Sequence, residues 1–311
     1  MYTIDKAIQE YLQYCKNPRR LDPKTIRAYH NDLHQFENCC NQMEVLVQKE
    51  TIKEYITNMH GRYKQKTVKR KIASIKAFYN FLENEERISF NPMRKICTEF
   101  REDVILPRTI PKQVIEKLLT YMYSLKREKE LTLWQRKILL RDLSVIELLF
   151  ATGLRISELS NLETGRVDLQ QGILCIKGKG AKERYLQIGN ETVLQILCEY
   201  KSEWEREMQQ GRYFFRNRYG QRYSEQSARK MTDKYVQAVA IDLHITPHMF
   251  RHAFATLLLE EDVDIRYIQK MLGHSSIVTT QIYTEVACRK QMEILKAKHP
   301  RNRMRVGDVS W

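Results

Sequence analysis

Apolar residues recur every three or four positions along most of the chain, which is the spacing that buries one face of an α-helix. Before residue 90 this pattern predicts four helices, at residues 3–15, 24–40, 51–60 and 65–86. Because the helices are short and consecutive, they predict a small helical domain over residues 1–98.

The pattern weakens after Asn91-Pro92, and the two prolines of CTEFREDVILPRTIP predict a linker at residues 99–110. A second domain is predicted over residues 111–311. Its helical segments are predicted at residues 112–125, 134–152, 156–162, 190–209, 224–240, 247–260 and 264–272.

One stretch of this second domain has a different character. GILCIKGKGAKERYLQI, at residues 172–188, places β-favouring runs on both sides of a glycine-containing turn, which is typical of a hairpin. FFRNRYGQRY, at residues 214–223, suggests a second, shorter strand pair. The predicted fold is therefore mainly α, with a second domain that is mostly helical but carries a small antiparallel sheet.

The composition of the chain also predicts a type of binding partner. The 311 residues are 42% hydrophobic, enough to bury substantial cores, and carry a formal net charge of +15. Such an excess of lysine and arginine favours a polyanionic partner, nucleic acid first of all, because binding to phosphates releases condensed counterions.

The predicted helix at residues 65–86 concentrates this charge. Its apolar seam consists of Val68, Ile72, Ile75, Tyr79 and Leu82. The remaining faces hold the predicted DNA-binding residues Lys66, Lys69, Arg70 and Lys71, in a stretch without any acidic residue from position 61 to 82. A phosphate-contacting surface is the favoured interpretation, since solvated faces normally mix signs, and a merely solvated face is the alternative.

Several classes of protein are disfavoured. The seven cysteines are scattered and never form C-x-x-C, so neither a disulfide framework nor a zinc site is predicted. The N-terminus lacks the apolar core of a signal peptide, and no apolar run reaches the roughly 18 residues that span a bilayer. A cytoplasmic protein without a membrane partner is expected.

TPHMFRHAFATLL, at residues 246–258, predicts a helix with Thr246 as N-cap and Pro247 as its first residue. His248 and Arg251 then project from the first turn, beside backbone N–H groups that favour anions. An ordinary arginine ion pair with a capping histidine is the alternative, because H-x-x-R alone is a weak signal.

ATGLRISEL, at residues 151–159, ends one helix at Gly153 and begins another near Ile156. Arg155 therefore lies at a junction, with Glu158 close enough to orient it. Lys179 lies in the glycine-rich hairpin turn, where its ammonium can reach a ligand. The turn lacks the G-x-x-x-x-G-K-[ST] pattern, so it does not predict an ATP-hydrolysing P-loop.

LGHSSIVTTQIY, at residues 272–283, adds His274 and Tyr283. Arginines stabilise the charge that develops on a phosphodiester during cleavage, and a lysine can protonate the leaving oxygen. A tyrosine phenol becomes a nucleophile when an acceptor takes its proton. This set of residues suits phosphodiester cleavage and requires neither a metal ion nor another cofactor.

The sequence resembles the tyrosine recombinases, or phage integrase family, of the XerC and XerD kind. ATGLRISELSNL, IKGKGAKERYLQI, TPHMFRHAFATLLLE and MLGHSSIVTTQIYTEV resemble its catalytic blocks in order and spacing. KIASIKAFYNFLENEERISFNPMRKI resembles the end of its N-terminal, SAM-like core-binding domain.

The resemblance implies a role for each matching position. Arg155 and Arg251 would clamp the scissile phosphate, and His248 would take the proton of Tyr283. His274 would hydrogen-bond a phosphate oxygen, and Lys179 would protonate the leaving 5′ oxygen. Tyr283 would then form a 3′-phosphotyrosyl link, which a 5′ hydroxyl reverses without ATP.

The resemblance also implies double-stranded DNA with specific core sites as partner. It implies a homotetramer on two duplexes, or a heterotetramer with a related recombinase. The helix at 287–298 would dock on a neighbouring protomer, with packing inside one molecule as the alternative. The stretch at 125–142 and the basic tail from 299 depart from the family pattern.

Three questions stay open at this point. A DNA-binding regulator that kept the fold and a nicking-closing topoisomerase are alternatives to a site-specific recombinase. The target sequence is not predicted, because base readout depends on side chains in the grooves. Insertion or excision of a mobile element and resolution of chromosome or plasmid dimers fit the sequence equally well.

Overall fold

The computed structural model describes residues 2–40, 48–96, 109–178 and 183–273. The chain divides into two compact units, Met1–Val104 and Ile105–Trp311. Most of the predicted linker at 99–110 lies outside the described residues. Its last residue, Ile110, is 2% exposed and belongs to the core of the second unit.

The first unit contains the four predicted helices. They are α1 (Ile4–Lys16), α2 (Pro23–Cys40), α3 (Lys49–Arg62) and α4 (Gln65–Asn84), and a short 3₁₀ helix follows at Pro92–Lys95. The side chain of Thr3 accepts a hydrogen bond from the backbone N–H of Lys6, which caps α1 at its start.

The core of the first unit is formed by the apolar faces of these helices. The predicted seam of α4 is confirmed, because all five of its residues are buried. From α2, Leu33 and Phe36 pack into the same core, and the ring of Phe36 meets that of Tyr79 edge to face at 6.2 Å.

The second unit is mostly helical, as predicted. Its described helices are α5 (Lys112–Arg127), α6 (Leu133–Thr152), α7 (Ile156–Ser160), α8 (Glu191–Glu203), α9 (Glu205–Gln209), α10 (Glu225–Ala238), α11 (Pro247–Glu260) and α12 (Ile265–Leu272). The single helix predicted at 190–209 is interrupted at Trp204. This indole is buried and donates to the backbone carbonyl of Lys137 at 3.2 Å.

Helix α6 lies at the centre of this unit and contacts α5, α8, α10 and α11. Nearly every position of its second half is buried, so neighbouring elements must cover it on all sides. Its N-terminus is fixed by a capping box between Thr132 and Gln135.

The predicted hairpin is confirmed and belongs to a three-stranded antiparallel sheet. The strands are β1 (Val167–Asp168), β2 (Ile173–Lys177) and β3 (Glu183–Gln187), in the order β1-β2-β3. Lys177 pairs with Glu183, so the register fixes where the connection between β2 and β3 begins and ends. Strand β1 escaped prediction because two residues are too short to show an alternating pattern.

The second predicted strand pair, at 214–223, reduces to one β-bridge between Arg216 and Arg222. Other contacts of Arg216 hold this turn in place. The Arg216 guanidinium donates to the carbonyl of Gly220 at 2.8 Å, and the backbone N–H of Arg216 donates to the Tyr200 hydroxyl at 3.1 Å. Within the described residues, no helix combines the length and apolar character needed to cross a bilayer.

Gly153 ends α6 in the left-handed conformation, with φ of 61°. A Cβ at this position would lie 2.6 Å from the Phe254 ring and 2.7 Å from Leu272. The glycine therefore satisfies two constraints at once, a positive φ and close packing of α11 and α12.

We expect Gly153→Ala to lower the free energy of unfolding by about 2 kcal/mol or more, from left-handed strain and overpacking together. Gly189→Ala is the matched control, since a Cβ there meets nothing within 4 Å. Chemical denaturation of both variants provides the measurement. Equal stability of the two variants would contradict this account of the α6 terminus.

Candidate active site

Arg155 is the N-cap residue of α7, at the junction where the sequence predicted it. Its side chain is 38% exposed and donates to Glu158 Oε1 at 3.0 Å, while its backbone N–H donates to Oε2 at 2.9 Å. The predicted orientation of Arg155 by Glu158 is therefore present, and it involves both carboxylate oxygens.

Glu158 also binds a second arginine, Arg184, from strand β3. The two terminal nitrogens of Arg184 donate to the two oxygens of Glu158 at 2.9 and 2.8 Å. Burial alone would raise the pKa of this carboxyl, but the hydrogen bonds and charges of the two arginines outweigh it and hold the pKa below its usual range. Glu158 is thus a carboxylate at neutral pH.

Arg251 is 2% exposed and lies between the ends of two helices. It donates to the carbonyl of Gly153, after α6, and to that of Leu272, at the end of α12, both at 2.7 Å. Since carbonyls at helix C-termini lack intrahelical donors and carry partial negative charge, a guanidinium is a suitable partner for them.

His248 is the second residue of α11, and it is exposed. As predicted, Thr246 is the N-cap of this helix and Pro247 its first residue. Its ring contacts the ring of His252 edge to face, with centroids 4.8 Å apart. The Nδ1 atom of His252 is buried and has no hydrogen-bond partner among the residues that the structure describes. Burial, followed by the neighbouring His248 and Arg251, lowers the pKa of His252 to about 4.

The structure therefore places next to one another the segments that carry three of the six predicted catalytic residues. Arg251 contacts Gly153, two residues before Arg155, and His248 lies one turn before Arg251 on the same helix. Lys179, His274 and Tyr283 lie outside the described residues. Their nearest described neighbours are Gly178 and Gly273, on the hairpin and at the end of α12.

The predicted DNA-binding residues occupy different environments on α4. Lys66 and Lys69 are exposed. The side chain of Arg70 is 48% exposed and forms a salt bridge with Asp32 of α2.

Lys71 is a correction to the predicted DNA-binding surface. Its side chain is 3% exposed, with Nζ 3.2 Å from Asp32 Oδ1 and hydrogen-bonded to Gln35. Position 71 follows Val68 by three residues and precedes Ile75 by four, so the lysine faces the core side of α4. It is a buried ion-pair residue, and it has almost no surface to offer a phosphate.

One group of described side chains has a composition that metal ions favour. Single ligand atoms of Asp5, His34 and Glu37 lie within 4.8 Å of one another. Two of the three side chains already have protein partners, because Asp5 accepts from Gln9 at 2.9 Å and His34 Nδ1 lies 2.9 Å from the carbonyl of His30. The contacts of Asp5 and His34 are thus explained without an ion.

Sequence reasoning missed Arg184 and His252. A signal for Arg184 was available, because in β3 it shares the inward face with the buried Leu186. An arginine at an inward strand position requires a buried partner, which here is Glu158. His252 follows His248 by one turn and gave no separate signal.

Family models match both units. Residues 108–290 match the model described as the phage integrase family, and residues 8–86 match the N-terminal SAM-like domain of phage integrases. The chain therefore belongs to the phage integrase family, and its two units correspond to the catalytic and the N-terminal domain.

Similar proteins of known class identify a subgroup within the phage integrase family. A tyrosine recombinase of Agathobacter rectalis is 52% identical over 302 residues, covering 97% of this chain and 98% of the relative. Tyrosine recombinase XerD of Listeria innocua is 32% identical over 308 residues, covering 96% and 100%. Like its relatives, this chain is a XerC/XerD-like tyrosine recombinase, which cleaves and rejoins DNA at specific sites through the phosphotyrosyl intermediate general to the family.

A solved structure supports the fold. The XerH site-specific recombinase bound to palindromic difH substrate matches with a TM-score of 0.73, covering 92% of this chain and 83% of that one. At 22% sequence identity the likeness shows the fold alone.

The pKa of His252 generates a prediction on stability. Histidine has an ordinary pKa near 6.5, and the folded chain lowers the pKa of His252 to about 4. Between these two pH values the unfolded chain therefore binds a proton at His252 that the folded chain does not bind. The contribution of His252 to folding is therefore complete above pH 6.5 and is lost as the pH falls towards 4. We expect His252→Gln to lose less stability than the parent between pH 7 and 4.5.

Denaturant unfolding at a series of pH values measures this difference. The difference in stability between the parent and His252→Gln is compared at each pH: a difference that is constant with pH reports packing alone, whereas one that shrinks as the pH falls reports the titration of His252. A parallel pH dependence of the parent and the His252→Gln variant would reject the lowered pKa of His252.

Proposed function

We propose that Arg155, His248, Arg251, Lys179, His274 and Tyr283 form one active site for DNA strand exchange, with Tyr283 as nucleophile. The observation that carries this proposal is the contact of Arg251 with the carbonyls of Gly153 and Leu272. It joins the segment of Arg155, the helix of His248 and the end of α12, which His274 follows after one residue.

In the proposed reaction the phenolic oxygen of Tyr283 attacks the phosphorus of the scissile phosphodiester. The bond from phosphorus to the 5′ oxygen breaks, and a 3′-phosphotyrosyl bond forms. His248 accepts the phenolic proton, and Lys179 donates a proton to the leaving 5′ oxygen. Attack by the 5′ hydroxyl of another strand reverses these steps without ATP and without a metal ion.

Arg155 and Arg251 are proposed to stabilise the charge on the phosphate, with His274 as a further donor. The two arginines differ in how much of their surface is exposed. Arg155 is 38% exposed, whereas the 2% exposure of Arg251 leaves almost no surface for a phosphate. Direct contact of a phosphate with Arg251 therefore requires movement of the groups that cover it.

Double-stranded DNA with specific core sites is the proposed substrate, bound by a homotetramer on two duplexes or by a heterotetramer with a related recombinase. The XerH relative was solved bound to a palindromic difH substrate, which supports a DNA site with two related halves. We propose a cytoplasmic enzyme that either integrates and excises a mobile element or resolves chromosome or plasmid dimers. Sequencing the DNA trapped covalently in cells distinguishes these two roles.

Replacement of the nucleophile tests the mechanism. We expect Tyr283→Phe to abolish the covalent protein–DNA complex, because phenylalanine has no oxygen to attack phosphorus. The complex is measured with a nicked suicide substrate that carries the cognate site, on a denaturing gel. Tyr267→Phe is the control, since Tyr267 is 66% exposed on α12.

Undiminished trapping by Tyr283→Phe would reject this nucleophile. The two alternative functions have their own outcomes in related assays. Relaxation of a supercoiled plasmid without a specific site would favour a nicking-closing topoisomerase. Specific DNA binding by the parent without any covalent complex would favour a regulator.

The exposed lysines of α4 generate a prediction on DNA binding. We expect the Lys66→Ala, Lys69→Ala double variant to bind DNA more weakly. The slope of log K against log salt should flatten by up to about 0.9 for each phosphate that the variant no longer neutralises. Fluorescence anisotropy at several salt concentrations measures both effects.

Lys53→Ala serves as control, because this exposed lysine lies on α3. Arg70→Ala is measured separately, since it also breaks the salt bridge to Asp32. An unchanged salt slope in the double variant would show that DNA contacts another surface.

A further inference from the structure

Arg184 is the described arginine most closely tied to the predicted active site without having a role in the proposed reaction. Its side chain is 15% exposed on β3. Besides its two bonds to Glu158, its Nε donates to the backbone carbonyl of Met271 at 3.1 Å. Three hydrogen bonds thus fix the plane of the guanidinium between α7 and the end of α12.

The end of α12 is shaped around this side chain. Gly273 terminates the helix with φ of 64°, and a Cβ there would lie 3.1 Å from Cδ of Arg184 and 3.2 Å from its Nε. The bond to Met271 and this close approach hold Arg184 at the end of α12, in addition to its bonds to Glu158. Its position is therefore determined independently of Arg155.

Glu158 has one negative charge and two arginine partners. Each of its oxygens accepts one hydrogen bond from Arg184 and one from Arg155, over distances between 2.8 and 3.0 Å. Because Arg184 contributes both of its terminal nitrogens, it satisfies much of the acceptor capacity of this carboxylate. The cluster of Arg155, Arg184 and Glu158 retains a net charge of about +1.

Without Arg184, Arg155 would be the one remaining hydrogen-bond partner of the Glu158 carboxylate within the described ranges. Its side chain is 7% exposed, so water would compensate the loss poorly. The guanidinium of Arg155 would then form a closed pair with Glu158, and its charge would be unavailable to an anion.

We propose that Arg184 is a positioning residue that neutralises Glu158 and thereby keeps the charge of Arg155 available for the scissile phosphate. The proposal rests on the role of Arg155 in the proposed function. Arg184 itself does not touch the DNA. It acts through Glu158, which holds Arg155 at the start of α7, and the carbonyl of Met271 holds Arg184 in place.

The test measures the single-turnover rate of covalent complex formation on the nicked suicide substrate, at saturating DNA. We expect Arg184→Gln to slow cleavage about 10- to 100-fold, as misplacement of a group in an active site does. Arg184→Lys should fall between this variant and the parent, because one ammonium replaces the charge but not the two-pronged contact.

The double variant Arg184→Gln, Glu158→Gln separates a charge role from a merely structural one. Removing the carboxylate releases Arg155, so the double variant should cleave faster than Arg184→Gln alone. A structural role predicts the opposite order, because the double variant loses more of the same hydrogen bonds. Arg212→Gln is the matched control, since Arg212 pairs with Glu163 at 2.7 Å but is 64% exposed.

Cleavage at the parent rate by Arg184→Gln, or a double variant no faster than Arg184→Gln, would overturn the proposal. If Arg184→Gln does not fold, as judged by circular dichroism, Arg184→Met carries the test, because it also removes the positive charge, and its cleavage at the parent rate would also overturn the proposal. The same gel contains the parent and Tyr283→Phe. A complex that persists in Tyr283→Phe rejects the proposed nucleophile, while the rates of the Arg184 variants can still be compared.

Discussion

The site in the catalytic domain depends on a buried guanidinium that needs acceptors. Burying the charge of Arg251 is unfavourable unless its N–H groups are hydrogen-bonded, and the protein supplies carbonyls that the helical ladder leaves unused. Those carbonyls belong to Gly153 and Leu272, next to two left-handed glycine termini. These two hydrogen bonds therefore provide acceptors for the N–H groups of Arg251, and they fix the points at which two helices end.

The position of these helix ends determines where the next residues of the chain lie. Arg155 comes two residues after Gly153, and its direction is then set by Glu158. The carboxylate serves two arginines, so the local charge stays positive while each side chain is held. The proposed active site for a polyanion thus contains a buried acid, and the acid organises the cations without cancelling them.

Much of this fold followed from the sequence because it depends on local patterns. Helical periodicity located the helices, and the junction at Gly153 located Arg155 and its partner Glu158. The environments of Lys71 and Arg184 did not follow, because each is decided by a residue distant in sequence. Lys71 is buried because Asp32 of α2 faces it, and Arg184 is fixed by Glu158 and by the end of α12. A single sequence shows which residues are charged and which face of a helix or strand they occupy. It does not show which acidic side chain pairs with which basic side chain across a core.

Helix α6 has a consequence for synthesis of the chain. It is enclosed by α5, α8, α10 and α11, and the last of these begins at Pro247, 95 residues after α6 ends at Thr152. A nascent polypeptide that has emerged only as far as α10 still exposes the apolar side of α6 that α11 covers. It also lacks His248 and Arg251. The hydrophobic interior is therefore completed at the same stage of translation at which these two polar groups are added. A truncated product has neither a closed interior nor these two residues of the proposed active site.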